Sequence, residues 1–407
     1  MTAPQLPYRL TRRFSRLLWV LVVAVTAGAV SLRLLTGGAA SSGIVWVPGL
    51  EHLFGDLRTY LAAADCTRLG VSPYDAASPC LYWSDSPYGG VPSNAPPYFH
   101  EALRAIGATQ AWAGMTGWFF LAGFFTAAAL MPVGRRPIGL SIQSAAFVIL
   151  CMSPAGMLGF AKANVEVAFV ALGIAAASLA SRPGAIAAVG PWLLALPASV
   201  KYVPGVPLAV FLVPRNRWLR LSALAAIAVV GILFFATLDS LGRRLQLTPQ
   251  GQANSFGASL DARVLFGNEI PRPAVLVIGA VVIGAGCVAG IAALLKTDSL
   301  KRLPLRPLML AASGGLVVTF AWCVFTNWEY RWLWVVLAFP FLTSIGPKPF
   351  RQAGLAITLL ASLAPWMTRT DIGLGVSTSI LTVTAIFGLS AMVSVAIGAL
   401  FAQRSAR

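Results

Sequence analysis

Runs of about 20 residues with almost no charge recur along most of this chain, and that recurrence decides what it can fold into. Nothing but an α-helix or a closed barrel satisfies the backbone inside a bilayer, and a helix needs about 20 apolar residues to cross. The runs here are continuous Ala/Leu/Val/Ile stretches, not the ten-residue alternation of a barrel. A charged fraction of 11% and a mean hydropathy of +0.78 exclude a soluble fold, for which about 25% charge is usual. The expected class is all-α, a polytopic transmembrane bundle of about twelve spans (eleven to thirteen), in one membrane-embedded domain over 1–407. The runs lie near 16–36, 109–132, 138–158, 165–181, 185–200, 203–214, 217–238, 273–295, 307–326, 332–346, 352–367 and 376–402.

A net charge of +17 would suggest nucleic acid for a soluble protein. In a membrane chain it first reports topology. Arg9/Arg12/Arg13/Arg16, Arg135/Arg136, Arg182, Arg215/Arg217/Arg220, Lys296/Lys301/Arg302/Arg306, Lys348/Arg351 and Arg404/Arg407 all fall in alternate loops or at the termini. The positive-inside rule makes these loops and both termini cytoplasmic. Of the thirteen acids only Asp298 is then inside. Either the outer loops are simply longer, or an acidic site faces outward. The first run extends to Leu35, so it reads as a retained signal anchor despite its Ala27-Gly28-Ala29. Cys151, Cys287 and Cys323 lie in spans as small apolar residues. Cys66 and Cys80 share the first outer loop, where they are a disulfide candidate or two free thiols.

Two outer segments, 37–108 and 239–272, are long enough to carry function. In the first, Leu53, Leu57, Tyr60, Leu61 and Ala64 follow helical spacing and predict an amphipathic helix on the membrane surface. Asp56 and Asp65 project from nearly opposite sides of it, so only one can face a given cavity. The segment 185–214 holds five prolines between two basic clusters and predicts a short helical pair or re-entrant hairpin with Lys201 at its outer tip. Lys201 there is either a grip for an anionic headgroup or a solvated turn lysine.

The chain has no Walker loop, HExxH, nucleophile elbow or dinucleotide fingerprint, so an ATP-driven pump is not expected. His52 and His100 lack metal-ligand spacing, and no metal or other cofactor is expected. What stands out is a set of acids and cations at one surface: Asp56, Glu166 and Glu329 beside Lys162, Lys201, Arg263 and Arg331. Sugar transfer from a lipid phosphate needs a carboxylate to take the acceptor's proton and cations to hold the leaving phosphate. Taken singly, Glu166 and Glu329 read equally as ion pairs at helix ends.

The ordered series GDLRTYLAAADCTRLGVSPYD, APPYFHEAL, GFAKANVEVAF, VKYVPGVPLAVFLVPRNRW, GQANSFGASL and TNWEYRWLWVVLAFP resembles the polyprenyl-phosphomannose-dependent mannosyltransferases of the glycosyltransferase C superfamily, related to family 87. The resemblance covers about residues 50–345. It implies that Asp56, opening a D-x-x-x-Y pattern with Tyr60, is the catalytic base. It also implies that Lys201 and the 252–260 loop with Asn254 and Ser255 border the donor. Lys162, Asn164, Tyr202, Glu329 and Arg331 complete the expected substrate-binding set. Where the family often has Trp, an acid and His, this chain reads Trp328-Glu329-Tyr330-Arg331, so Arg331 is expected to serve the phosphate.

The expected activity is inverting transfer of one sugar, mannose by the resemblance, from a polyprenyl phosphate to a lipid or glycan acceptor on the extracytoplasmic face of the cell membrane. The expected partners are that donor, a glycolipid or glycan acceptor and membrane lipids, with no nucleic acid. Two other classes share many of these features: a transporter or lipid flippase, and a lipid-linked glycan polymerase or ligase. Transporters place ionisable groups near mid-membrane at a repeat interface, and no repeat is evident here.

Overall fold

The structure is a computed structural model that describes residues 8–36, 53–75, 78–81, 93, 95–133, 137–240, 255–256, 258–266, 270–324, 327–343, 348–366 and 373–405. These residues are helical apart from loops and one short antiparallel pairing, β1 (Ser255–Phe256) with β2 (Asn327–Trp328). Five helices are long and apolar enough to cross a membrane: Arg12–Leu35, Arg217–Ala236, Pro273–Lys296, Leu305–Cys323 and Ser379–Ser405. A sixth candidate is a bent pair, α5 (Pro137–Met152) and α6 (Pro154–Ala161), meeting at 58°. The other expected spans are shorter apolar segments, among them Val165–Ala180, Gly184–Val200, Val203–Leu212 and Arg331–Leu342.

The shortness has a chemical cause. Pro197 sits inside α8 (Val189–Val200), and Pro204 and Pro207 lie in the next segment, Val203–Leu212, which is a 3-10 helix. Proline removes a backbone donor and blocks a long regular helix, while 3-10 geometry rises about 2 Å per residue, so ten residues still reach about 20 Å. At the α5–α6 bend Pro154 takes the first helical position of α6 and the Ser153 hydroxyl accepts the Gly156 N–H at 3.1 Å. Proline and serine therefore restart the helix in a new direction.

The helices share two ends. Arg306, near the start of α12 (Leu305–Val324), donates to the Leu130 carbonyl after α4 (Ala113–Ala129) and to Ser178 near the end of α7 (Val165–Ala180). Gln403, near the end of α15 (Gly373–Ser405), donates to the carbonyls of Lys301 and Leu303. Arg215 donates to the Arg404 carbonyl, and Asn216, capping α9 (Arg217–Ala236), donates to the Gly184 carbonyl. At the opposite end, α2 (Gly55–Arg68) and α3 (Pro97–Ala105) cover the tops of α6, α7 and α8. Phe54 donates its N–H to the Ala161 carbonyl, and the Tyr98 hydroxyl donates to the Ser199 carbonyl.

The helix α2 lies where its spacing placed it, but its apolar residues meet protein. Leu57, Tyr60, Leu61, Ala64 and Cys66 are buried, and Tyr60 meets Phe99 edge-on. Cys66 is bonded to Cys80, which pins the following loop to the helix. Elsewhere apolar surface is plentiful: Phe14, Leu21 and Val25 on α1 (Tyr8–Leu35), Ile232 and Phe235 on α9, and Val281 and Val288 on α11 (Arg272–Lys296) are exposed. So much exposed large apolar surface suits lipid contact.

α11 and α15 pack closely through small residues. A Cβ on Gly290 would lie 2.1 Å from the Ala391 carbonyl oxygen, and one on Gly286 would lie 2.5 Å from that of Phe387. Two glycines four residues apart let backbones approach where no hydrophobic drive exists between helices in lipid. A Cβ on Gly284 meets nothing within 4 Å. Gly290→Leu should therefore lower stability by about 2 kcal/mol in a detergent thermal melt, with Gly284→Leu close to wild type.

Asp261, on α10 (Ala258–Phe266), is buried and accepts the Trp322 indole N–H at 2.8 Å. Burial pushes its carboxyl up to about 6, against the hydrogen bonds from Trp322 and Ser379. The folded value exceeds the ordinary unfolded one of about 4, so the neutral acid favours folding. That contribution is complete below about pH 4 and is lost as pH rises through 6. Melting curves from pH 4 to 7 should show stability falling in wild type and a flatter profile in Asp261→Asn.

Candidate functional site

The site is built from a helix end and a helix start in immediate succession. α6 ends at Lys162, after which Ala163 adopts φ 42°, a left-handed conformation usually left to glycine. The Asn164 N–H bonds the Gly159 carbonyl at 3.1 Å and the Ala163 N–H bonds the Phe160 carbonyl at 3.0 Å. This is the Schellman closure of a helix. It reverses the chain within two residues, so that Lys162 and Asn164 both reach Asp56. Lys162 Nζ lies 3.7 Å from Asp56 Oδ1, and the Asn164 Nδ2 donates to Asp56 Oδ2.

Asn164 is also the cap of α7. Its Oδ1 accepts the Glu166 N–H at 3.0 Å and a Lys201 Nζ–H at 3.2 Å. With the oxygen taken by two donors, the amide nitrogen must face Asp56. One side chain thereby fixes the spacing between an acid on α2 and a lysine at the turn after α8. Glu166 stands next to it, 1% exposed, in the first turn of α7. Its Oε1 lies 3.7 Å from Lys201 Nζ and 3.4 Å from Arg331 Nε, while Oε2 accepts the Trp334 indole N–H at 2.9 Å. The Lys201 and Arg331 side chains keep 12% and 13% of their surface exposed, against 27% for Asp56.

Among the described residues the cluster thus holds three cations, Lys162, Lys201 and Arg331, and two carboxylates, one reachable and one sealed. Their balance is one positive charge, which favours an incoming anion. Tyr60, one turn after Asp56, borders the same group. Burial first, then the charges of Asp56 and Glu166, hold its phenol well above the usual range despite Arg331, so it stays protonated and donor-competent.

Six expected residues come together: Asp56, Tyr60, Lys162, Asn164, Lys201 and Arg331. Lys201 is at the turn between α8 and the Val203–Leu212 segment, as the proline pattern predicts, but it is seated against Glu166 and Asn164. Tyr202 goes elsewhere. Its ring meets Phe234 at 4.7 Å and its hydroxyl lies 3.3 Å from the Thr237 hydroxyl, both at the end of α9. The backbone of Ser255 pairs with Trp328 in the β1–β2 ladder, which sets the 255–256 segment beside the chain leading into Arg331. Asn254 and His52 lie outside the described residues, as do the side chains of Ser255, Glu329 and Arg263. Among the described residues no three His, Cys, Asp or Glu side chains gather as a metal would need. His100 is buried and packs against Tyr74 and Phe99.

Sequence reasoning undervalued Glu166 and Trp334. The signal was present: an asparagine cap followed two residues later by an acid marks a helix start where negative charge is favoured. That Trp334 and Arg331 fold back onto it needed the tertiary structure. The chain matches no protein-family model, and neither a curated protein nor a solved structure matches it.

Removing one partner of a buried charged group leaves the others uncompensated, at about 3–5 kcal/mol. Glu166→Gln should therefore depress thermal stability strongly, whereas Asp56→Asn, at a more exposed pair, should cost no more than about 1 kcal/mol. Equal melting temperatures for the two variants would remove Glu166 from its organising role.

Proposed function

We propose that this protein is a membrane glycosyltransferase that moves one sugar from a polyprenyl phosphate to a hydroxyl acceptor. Asp56 is the base and Lys201 with Arg331 forms the seat of the leaving phosphate. The observation that carries this reading is the division of labour between two carboxylates. Glu166 is sealed and spent on holding the cations, while Asp56, in the same cluster, stays reachable.

In the proposed step the Asp56 carboxylate accepts the acceptor O–H proton while the oxygen attacks the anomeric carbon. The bond from that carbon to the phosphate oxygen breaks, and its electron pair leaves with the polyprenyl phosphate. Lys201 and Arg331 meet the charge that develops there, which is where fixed cations accelerate a reaction most. Attack opposite the leaving group inverts the anomeric centre. Lys162 and Asn164 hold Asp56 in place, and Tyr60 lends a hydroxyl at the edge of the cluster.

The proposed architecture is a twelve-pass bundle in which short and bent segments count as passes. The alternation of ends supports it: basic residues gather just after α7 at Arg182, at the ends of α11 and α15 and at the starts of α9 and α12, opposite the polar cluster. The positive-inside rule then puts the cluster on the extracytoplasmic face. The motif order from 50 to 345 adds its resemblance to polyprenyl-phosphomannose-dependent mannosyltransferases of the glycosyltransferase C superfamily, with mannose as the proposed sugar.

The test is transfer from radiolabelled polyprenyl-phosphate sugars to membrane glycolipid acceptors by purified protein, wild type beside Asp56→Asn. Label should move with wild type and fall at least a thousandfold with the variant, whose melting curve stays near wild type. Undiminished transfer by Asp56→Asn would overturn the assignment of the base, and no transfer by folded wild type would favour a transporter.

A further inference from the structure

Far from that cluster, four separate segments enclose a cleft of about 1010 Å³. They are 180–184 after α7, 214–216 before α9, 298–305 before and into α12, and 400–404 at the end of α15. Among the described residues Arg182, Arg215, Lys301, Arg302 and Arg404 line it, with Asp298 as the one acid. α7 runs from Glu166 at the polar cluster to Ala180 at the cleft, 14 helical steps or about 21 Å. The two sites therefore lie near opposite faces of the bundle.

Topology rules require basic residues in these loops, but they do not require them to converge. Here they do, and the convergence is built. Arg215 donates to the Arg404 carbonyl, Gln403 clamps the Lys301–Leu303 turn, and Asn216 ties its loop to Gly184. Five cations facing one another across a cleft repel unless something anionic joins them. Asp298 answers Lys301 at 2.7 Å, one acid against five cations among the described lining residues.

The wall is not wholly polar: Leu303, Leu305 and Leu400 contribute to it, and next to Leu400 the ring of Phe401 stands half exposed. Basic pockets between membrane helices with apolar flanks fit a phosphate whose remainder lies in the bilayer. We propose that this cleft binds the phosphate-bearing headgroup of an anionic membrane lipid, with the acyl chains along the apolar surface beside Phe401. The inference is independent of the activity proposed for the other end.

The experiment is native mass spectrometry of the full-length protein after stepwise delipidation, with thermal shifts on adding phosphatidylglycerol, phosphatidylethanolamine or inorganic phosphate. Wild type should retain the anionic lipid longest and gain melting temperature from it alone. The double variant Arg182→Gln/Arg302→Gln should bind it at least tenfold more weakly, and Asp298→Asn, which removes the opposing charge, several-fold more tightly. The gain with Asp298→Asn distinguishes a binding site from general damage, should the arginine variants fold poorly. Equal retention of zwitterionic and anionic lipid, or no response to either set of substitutions, would overturn the proposal. Inorganic phosphate binding as tightly as the lipid would overturn the lipid as occupant.

Discussion

A buried carboxylate on an apolar helix needs positive partners, and Glu166 has recruited them from two distant parts of the chain. Isolated in an apolar interior it would be costly by many kcal/mol. Lys201, Arg331 and the Trp334 indole remove that cost only when the turn after α8 and the 3-10 segment Glu329–Ala338 sit beside the start of α7. The same contacts leave two cations fixed at one end of the bundle, partly exposed and ready for an anion. Asn164 carries the order outward by capping α7, holding Lys201 and aiming Asp56. Fold and site are thus one arrangement of charge.

The irregular elements serve that arrangement. A continuous helix through Pro154 or Pro204 would carry these side chains past the cluster, whereas bends and 3-10 turns bring Lys162, Asn164 and Lys201 to one level. Irregular backbone inside a membrane persists only where protein or a cavity satisfies it. Here the left-handed Ala163 is fully buried and its neighbours' N–H groups are bonded. The candidate membrane spans α1, α9 and α11 are long and regular, and their exposed faces are largely apolar. Strain and regularity are divided between interior and perimeter.

Much of this was legible in the sequence because hydropathy and charge act locally. The apolar runs located the helices, the spacing of Leu57, Tyr60 and Leu61 located α2, and the prolines of 185–214 placed Lys201 at a turn. The proximity of Cys66 and Cys80 followed from their shared loop, and the structure bonds them. What the runs could not reveal was length in three dimensions, since an apolar stretch such as 203–214 looks the same as an α-helix or as a 3-10 segment. Nor could they show that Tyr202 turns toward α9 while its neighbour Lys201 turns toward α7, or that Asn164 holds the cluster together. The tight glycines of α11 also escaped notice, because their meaning lies in the backbone of α15.

In the proposed function the cations held by Glu166 seat a lipid phosphate with its sugar turned toward Asp56. An experimental structure of the protein in lipid nanodiscs with a non-hydrolysable polyprenyl-phosphate sugar analogue tests it most directly. Phosphate oxygens should lie within hydrogen-bond distance of Lys201 and Arg331, with the anomeric carbon on the Asp56 side. A headgroup bound elsewhere, or seated with its sugar directed away from Asp56, would contradict it.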